Sequence, residues 1–328
     1  MPLLGRKPKK DVVRLYVVSD FHASAPAWRK MLNAVRLNIY KADAVLYAGD
    51  LTGKAIVPVV QNGDGGWEAE LLGQKRRPRN EQELHDLERD IAALGYYPYR
   101  TTRAEVDSLH GDADALNKLF ARQIRDQVAD WMTVAADRLE GSDVPVYLIP
   151  GNDDPYEIDE PLAASERIVN VDRKVVELPG GMEVMGLGLS SPTPWSTPRE
   201  VSEHDFREAI FRLGDQVKDP RRTILLTHCP PYDSGLDIAP LLDDDMRPVV
   251  SAGDLLRGPV GSTGVREAIG ELHPLLSLHG HIHESAGDAK IGQTLCLNPG
   301  SEAAYGIVRG YVIDVSADGI ERYFRVEG

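Results

Sequence analysis

Residues 14–50, RLYVVSDFHASAPAWRKMLNAVRLNIYKADAVLYAGD, set the reading of the whole chain. Arg14 to Ser19 is an apolar run ending in a polar loop, which predicts a buried strand. Pro26 to Tyr40 reads as a helix capped by Ser24 or Ala25, and Ala44 to Ala48 as a second buried strand. Strand, helix and strand joined by a right-handed crossover make a parallel pair whose following loops emerge on one sheet edge. Asp20 and Asp50 occupy those loops. In Asp20-Phe21-His22 a carboxylate and an imidazole stand two apart at a strand end, where alternate side chains point the same way and can chelate one ion. Gly49 before Asp50 lets the backbone approach closely. Each motif alone is weak, since such short strings arise by chance.

Downstream, strands are expected at Val144 to Ile149, Val175 to Leu178, Glu183 to Leu189, Thr223 to Thr227, Leu275 to Leu278, Thr294 to Leu297, Tyr311 to Val315 and Ile320 to Val326. Helices are expected at Glu203 to Leu213, started by Ser202 with Asp205 three residues on, and at Val265 to Leu272. Strands and helices alternate early and hairpins dominate late. That order fits one domain over 1–328 with an α/β fold, a four-layer α-β-β-α sandwich of two mixed sheets. Residues 54–139 break the pattern: glycines 63, 65 and 66 give way to a basic knot, Lys75 to Arg79, and then to amphipathic helix. This stretch reads as a mostly helical insertion or lid. Its last helix, Ala113 to Leu139, carries a core stripe of Leu116, Leu119, Phe120, Ile124, Val128, Trp131, Met132 and Ala135.

Three more strand ends carry candidate ligands. Gly151-Asn152-Asp153-Asp154 follows an apolar strand and Pro150; it is an ordinary turn sequence, but an Asn side-chain oxygen is also a neutral hard ligand. In Thr227-His228-Cys229-Pro230-Pro231 a histidine follows a buried strand, where an unliganded imidazole is as natural as a ligand. His279-Gly280-His281-Ile282-His283 gathers three alternating imidazoles, which add little to packing and repel one another when protonated.

The series Asp-x-His, Gly-Asp, Gly-Asn-x-Asp, His after a strand and Gly-His-x-His resembles the calcineurin-like metallophosphoesterase superfamily. The likeness covers nearly the whole chain outside the insertion. Stretches 191–195 (SPTPW), 276–285 (LSLHGHIHES) and 298–302 (NPGSE) look closest to the Icc-related phosphoesterases of bacteria and archaea. The resemblance implies two divalent or mixed-valence transition metal ions. Asp20, His22 and His283 would hold one, Asn152, His228 and His281 the other, and Asp50 would bridge both. Such ions, roughly 3.5 to 4 Å apart, share a hydroxide that attacks phosphorus in line. Mixed oxygen and imidazole ligation suits manganese, iron, zinc or cobalt and disfavours calcium.

One position departs from that pattern. Many superfamily members have His where this chain has Asp153, and an ionised carboxylate is a poor proton donor. Asp153 either bonds a loop, positions a water or substrate donor, or is kept protonated by its neighbour Asp154. His279 or His204 are substitute donors, although His204 also reads as an exposed helix residue. Lys75, Arg76, Arg77, Arg79, Arg100 and Arg103 could contact phosphate or simply be solvated charge, and Tyr96, Tyr97 and Tyr99 could stack on a base. The expected partner is a small phosphorylated substrate, nucleotide-like if those tyrosines stack, with a phosphodiester slightly favoured over a monoester.

Bulk properties narrow the alternatives, a nuclease or a catalytically idle metal-stabilised binding protein. With 51 acidic against 37 basic residues, the formal net charge of -14 repels a polyanion, so nucleic acid is a disfavoured partner. Cys229 and Cys296, the two cysteines, sit in apolar contexts as inert thiols, which suits a reducing compartment. Met1 to Lys10 is basic without the apolar stretch of a signal peptide, and no segment is apolar enough for a membrane span; a cytoplasmic protein is the expectation.

Overall fold

A computed structural model describes residues 12–243, 245–251 and 253–328; the basic Arg6 to Lys10 lies outside the described residues. Strand β1 (Val13–Val18), helix α1 (Ala25–Arg36) and strand β2 (Ala44–Ala48) make the expected parallel crossover, with Leu15 opposite Ala44 and Val18 opposite Tyr47. Helix α1 stops four residues before the expected Tyr40. Asn38 turns left-handed (φ 52°), and the N–H groups of Asn38 and Ile39 return to Val35 and Ala34 carbonyls, which closes the last turn. Ser24 is the capping residue by position, but its hydroxyl donates to the Ala303 carbonyl (2.8 Å) and makes no cap bond.

The chain then runs through β3 (Ile56–Gln61), β4 (Trp67–Leu71), β5 (Gln74–Arg76), α2 (Glu81–Ala93), β6 (Tyr97–Thr102), α3 (Arg103–His110) and α4 (Ala113–Arg138). The helices match the expectation, but the four-stranded sheet β5-β4-β3-β6 is not foreseen in the sequence. Its Val59 and Leu71 pack on Leu84, Leu87 and Ile91 of α2. Helix α4 buries Trp131 against Trp28 of α1, the rings stacked at 5.0 Å, while Leu116, expected in the core, is 39% exposed.

Strand β7 (Val146–Ile149) joins β2 in parallel, and after α5 (Asp159–Ala163) strand β8 (Ile168–Asn170) joins β7. A second sheet is laid down by β9 (Lys174–Leu178), β10 (Met182–Leu187), α6 (Glu203–Gly214) and β11 (Thr223–Thr227). Four short strands follow, β12 (Ile238–Pro240), β13 (Val250–Ser251), β14 (Asp254–Leu255) and β15 (Arg257–Pro259), then α7 (Thr263–Leu272), β16 (Leu276–Leu278), β17 (Gly287–Ile291) and β18 (Thr294–Asn298). Strands β19 (Arg309–Ser316) and β20 (Gly319–Glu327) return to the first sheet.

The sheet orders are β20-β19-β1-β2-β7-β8 and β17-β18-β16-β11-β10-β9. Each has a parallel centre, β1-β2-β7-β8 in one and β18-β16-β11-β10 in the other. Leu15, Val17, Leu46 and Ile149 face Val184, Ile224, Leu226 and Leu278 across the inter-sheet core. On the outer faces, α1 and α4 cover the first sheet with Trp28, Met31 and Trp131, and α6 and α7 cover the second with Phe206, Ile210, Val265 and Ile269. This is the mixed four-layer α/β arrangement expected. Among the described residues no helix is long and apolar enough to cross a membrane.

Candidate metal centre

The parallel strands β1, β2 and β7 end together in the first sheet and β11 and β16 in the second, and the loops carrying the candidate ligands meet where their side chains gather. Past β1 and β2 the loops stay zipped: Asp20 N–H donates to the Gly49 carbonyl (2.9 Å), His22 N–H to Asp50 (3.0 Å) and Ala23 N–H to Leu51 (2.8 Å). This pairing bends the backbone hard. Asp20, His22, Asp50 and His281 all take φ between 43° and 69°, a region uncommon for residues other than glycine and often found at functional sites. Gly49 (φ 99°) is needed because a Cβ there would collide with the His228 ring.

The side chains gather as two groups, Asp20-His22-His283 and Asp50-His228-His281, with the ligand atoms of each within 4.8 Å of one another. In the first, His22 Nε2 and His283 Nε2 face each other at 2.9 Å and Asp20 Oδ1 is 3.4 Å from His283 Nε2. In the second, Asp50 Oδ2 is 3.2 Å from His228 Nε2; the same oxygen is 3.6 Å from His22 Nε2 and so stands between the groups. A third arrangement, His22-Asp50-Asp153, shares two of these residues.

Whether a metal suits these side chains can be judged from what they lack. Asp20 Oδ2 and Asn152 Oδ1 are buried without a hydrogen-bond partner, a costly state that an ion relieves. Other bonds fix how these atoms point. His228 Nδ1 lies 2.6 Å from the Ala48 carbonyl, which keeps the proton on Nδ1 and turns the Nε2 lone pair inward. Asn152 Nδ2 donates to Asp153 Oδ1 (2.9 Å) and Thr197 Oγ1 (3.0 Å), which turns its Oδ1 inward. Thr197 Oγ1 donates in turn to Glu200 (2.5 Å). The donors fit a pair of divalent ions.

Burial alone would raise the Asp20 carboxyl, but His283, His228 and His22 outweigh it and hold it below the usual range. Burial and neighbouring positive charge push His22 and His281 down to about 4, leaving neutral imidazoles with lone pairs to give. Burial opposes protonation of His228 too, yet Asp50 and Asp20 lift it to about 10, so its Nε2 carries a proton toward Asp50 that an incoming ion would displace.

The remaining candidates fall differently. Both Asp154 oxygens are taken by main-chain N–H groups, from Leu51 (3.0 Å), Thr52 (2.8 Å) and Gly151 (2.7 Å), so this carboxylate ties two ligand loops together. Asp153 pairs with the Lys54 ammonium at 2.8 Å, while its N–H donates to Asp50 Oδ1 (3.0 Å). Burial tends to raise its carboxyl, but Lys54 and His22 leave it lowered, against the reading in which Asp154 keeps it protonated. His279 is fully buried against Thr227, and burial pushes it down to about 3, which favours the neutral imidazole. His204 is exposed on α6. Tyr97 is buried with its hydroxyl accepting from Gly53 N–H (2.8 Å), and Tyr96 packs on the cluster formed by β3, β4 and α2, so neither is free to stack on a base. Arg77 and Arg103 pair with Glu68, Arg79 with Glu83, and Arg100 with Glu81 and Glu88. Cys229 and Cys296 are buried free thiols.

The family profile of calcineurin-like phosphoesterases matches residues 13–285. The chain belongs to this family. The fold is similar to that in the crystal structure of TT1561 of Thermus thermophilus, with a TM-score of 0.54 at 15% identity over 96% of this chain and 98% of that one. A second solved structure aligns with a TM-score of 0.55, again at 15% identity, over 96% of this chain and 99% of that one. The uncharacterized protein MJ1162 of Methanocaldococcus jannaschii is 31% identical over 162 residues, which cover 49% of this chain and 66% of that relative's length.

Lys54, Thr197, Glu200 and Leu94 carry no signal in the sequence. Lys54 follows Asp50 by four residues in a loop without periodicity, and Thr197 and Glu200 act on Asn152 from a distant loop. Leu94, just after α2, lines a cavity of about 200 Å³ together with Asp20, His22, His283, Ser301 and Tyr305, the last 83% exposed.

Proposed function

We propose that this calcineurin-like phosphoesterase hydrolyses a small phosphate ester with the help of two divalent metal ions. The observation that carries the reading is the placement of Asp50 Oδ2 between the Asp20-His22-His283 and His228-His281 groups, beside buried donor atoms that nothing else satisfies. When bound, the ions would supply Lewis acidity, acidify the attacking water and offset charge on the phosphoryl oxygens. The chain's own residues do the rest: Asp50 spans the two groups, Asp154 and the Ala48 carbonyl fix the loops and the His228 tautomer, and Asn152 is oriented through Thr197. Manganese, iron, zinc or cobalt all suit this ligand set.

A diester is the favoured substrate, because no imidazole poised to protonate a leaving group stands where Asp153 lies, and His279 is buried and neutral. The cavity beside Asp20 and His22 would receive the ester's organic part, with Leu94 of the insertion as one wall and lid. A nuclease is disfavoured: the insertion's arginines at 77, 79, 100 and 103 are already engaged by carboxylates.

The test is initial-rate hydrolysis of bis(p-nitrophenyl) phosphate and p-nitrophenyl phosphate by metal-stripped protein with manganese restored. Asp50→Asn should lower kcat by about a hundredfold or more, a loss of at least ~2.7 kcal/mol of transition-state stabilisation. Metal-dependent turnover faster on the diester supports the full reading, and faster on the monoester removes the diester preference. A folded protein that binds two ions yet hydrolyses neither points to the idle binding protein.

A further inference from the structure

Lys54 stands in the loop between β2 and β3, four residues after the central carboxylate Asp50. Its Nζ lies 2.8 Å from Asp153 Oδ2, and that same oxygen is 3.8 Å from His22 Nδ1. Asp153 is itself fixed by its N–H bond to Asp50 Oδ1 and by Asn152 Nδ2 on its Oδ1. A carboxylate 16% exposed therefore holds an ammonium whose own side chain is 61% exposed, at the open margin of the ligand cluster. Among the described residues no other lysine or arginine makes an ion pair with Asp153 or with Asp20 or Asp50.

An ion pair at this place adds little to stability, because one partner is largely solvated. It does fix a cation. An ammonium has three donors, and Asp153 takes one of them, leaving the others directed away from the carboxylate. A phosphate ester seated at the ligand cluster brings anionic oxygens to this margin, in a protein whose net charge of -14 otherwise repels them.

We propose that Lys54 is a substrate-binding residue, its ammonium donating to a phosphoryl oxygen of the bound ester, and that Asp153 is the positioning residue that holds it there. The inference rests on the phosphoesterase reading above. It also gives Asp153 a role that needs no proton transfer.

The experiment is calorimetric titration of inorganic phosphate into manganese-loaded wild type, Lys54→Met, Lys54→Arg and Asp153→Asn, with metal content measured on each sample. Michaelis constants for bis(p-nitrophenyl) phosphate are taken alongside. Loss of a charge-assisted bond should weaken phosphate binding and raise KM about ten- to a hundredfold in Lys54→Met, with metal content unchanged. Lys54→Arg should recover most of the affinity, and Asp153→Asn should fall between. Wild-type phosphate affinity in Lys54→Met overturns the proposal, and so does loss of bound metal in that variant, which would place Lys54 in the service of the centre and not of the substrate. A wild type that neither binds phosphate nor hydrolyses the ester removes the proposed function, and this inference with it, whereas an active wild type matched by Lys54→Met removes the inference alone.

Discussion

Asp153 and Asp154 are adjacent carboxylates with opposite surroundings, and the difference separates chemistry from architecture at the scale of single residues. Asp154 is fully buried, with three main-chain donors on its two oxygens. Replacing it with Asn leaves at least one buried N–H facing an amide NH₂, at roughly 1–3 kcal/mol. Asp154→Asn should therefore lower the urea midpoint clearly while kcat per metal-loaded molecule stays near wild type; the reverse pattern would give Asp154 the chemical role that the sequence left open. The seven ligand candidates were legible because each follows an apolar strand, a pattern visible in one dimension. Lys54 was not legible, since an exposed lysine in a loop looks the same with or without a phosphate to bind. The consequence of Thr197 for Asn152 could not be read either, because the link spans 45 residues and no periodicity joins the two loops.

At the scale of elements, the sheet edge offers a test that does not touch the centre. Asp314 on β19 accepts from Arg14 Nε (2.6 Å) and Nη2 (2.9 Å) on β1 and from Arg322 Nε (2.6 Å) on β20, tying three adjacent strands. The Arg14 hydrogen bonds hold its carboxyl below the ordinary value; burial opposes them and Arg322 reinforces them. A carboxyl depressed in the folded state contributes stability that is fully present above its unfolded pKa of about 3.9 and is lost as pH falls through the lower folded value. Asp314→Asn should thus cost roughly 1–2 kcal/mol at pH 7, less than a fully buried pair because Arg322 is exposed. The gap to wild type in urea melts should close below about pH 4; a gap independent of pH would mean that packing, not charge, is lost. Elements with strong patterning were legible almost to the residue, as with α4 and β11. The sheet β5-β4-β3-β6 was not, for a physical reason: Pro58 sits inside β3, where proline normally argues against a strand. It is tolerated because β4 pairs with β3 only at Val60 and Gln61. The three-residue β5 and β8 are too short to show alternation at all.

The whole molecule carries a net charge of -14, so its field opposes the proposed anionic substrate at long range. Screening shortens that field to about 10 Å at 0.1 M salt. Raising ionic strength from about 0.02 to 0.2 M should therefore increase kcat/KM for an anionic diester, measured at constant manganese and pH. A fall would mean that the local positive field of the centre and Lys54 dominates the approach. The layered architecture itself was legible from the order of elements, because strands alternating with helices and then pairing as hairpins leave few ways to bury both sheet faces. Distance along the chain adds a consequence of another kind. Asp20 accepts from the His281 N–H across 261 residues, and β1 finds its antiparallel neighbour only at β19. During translation, the carboxylates near the beginning leave the ribosome long before the histidines that complete their site. An ion held by both ends of that span would therefore be bound only after residues 261 positions apart have been made and brought together.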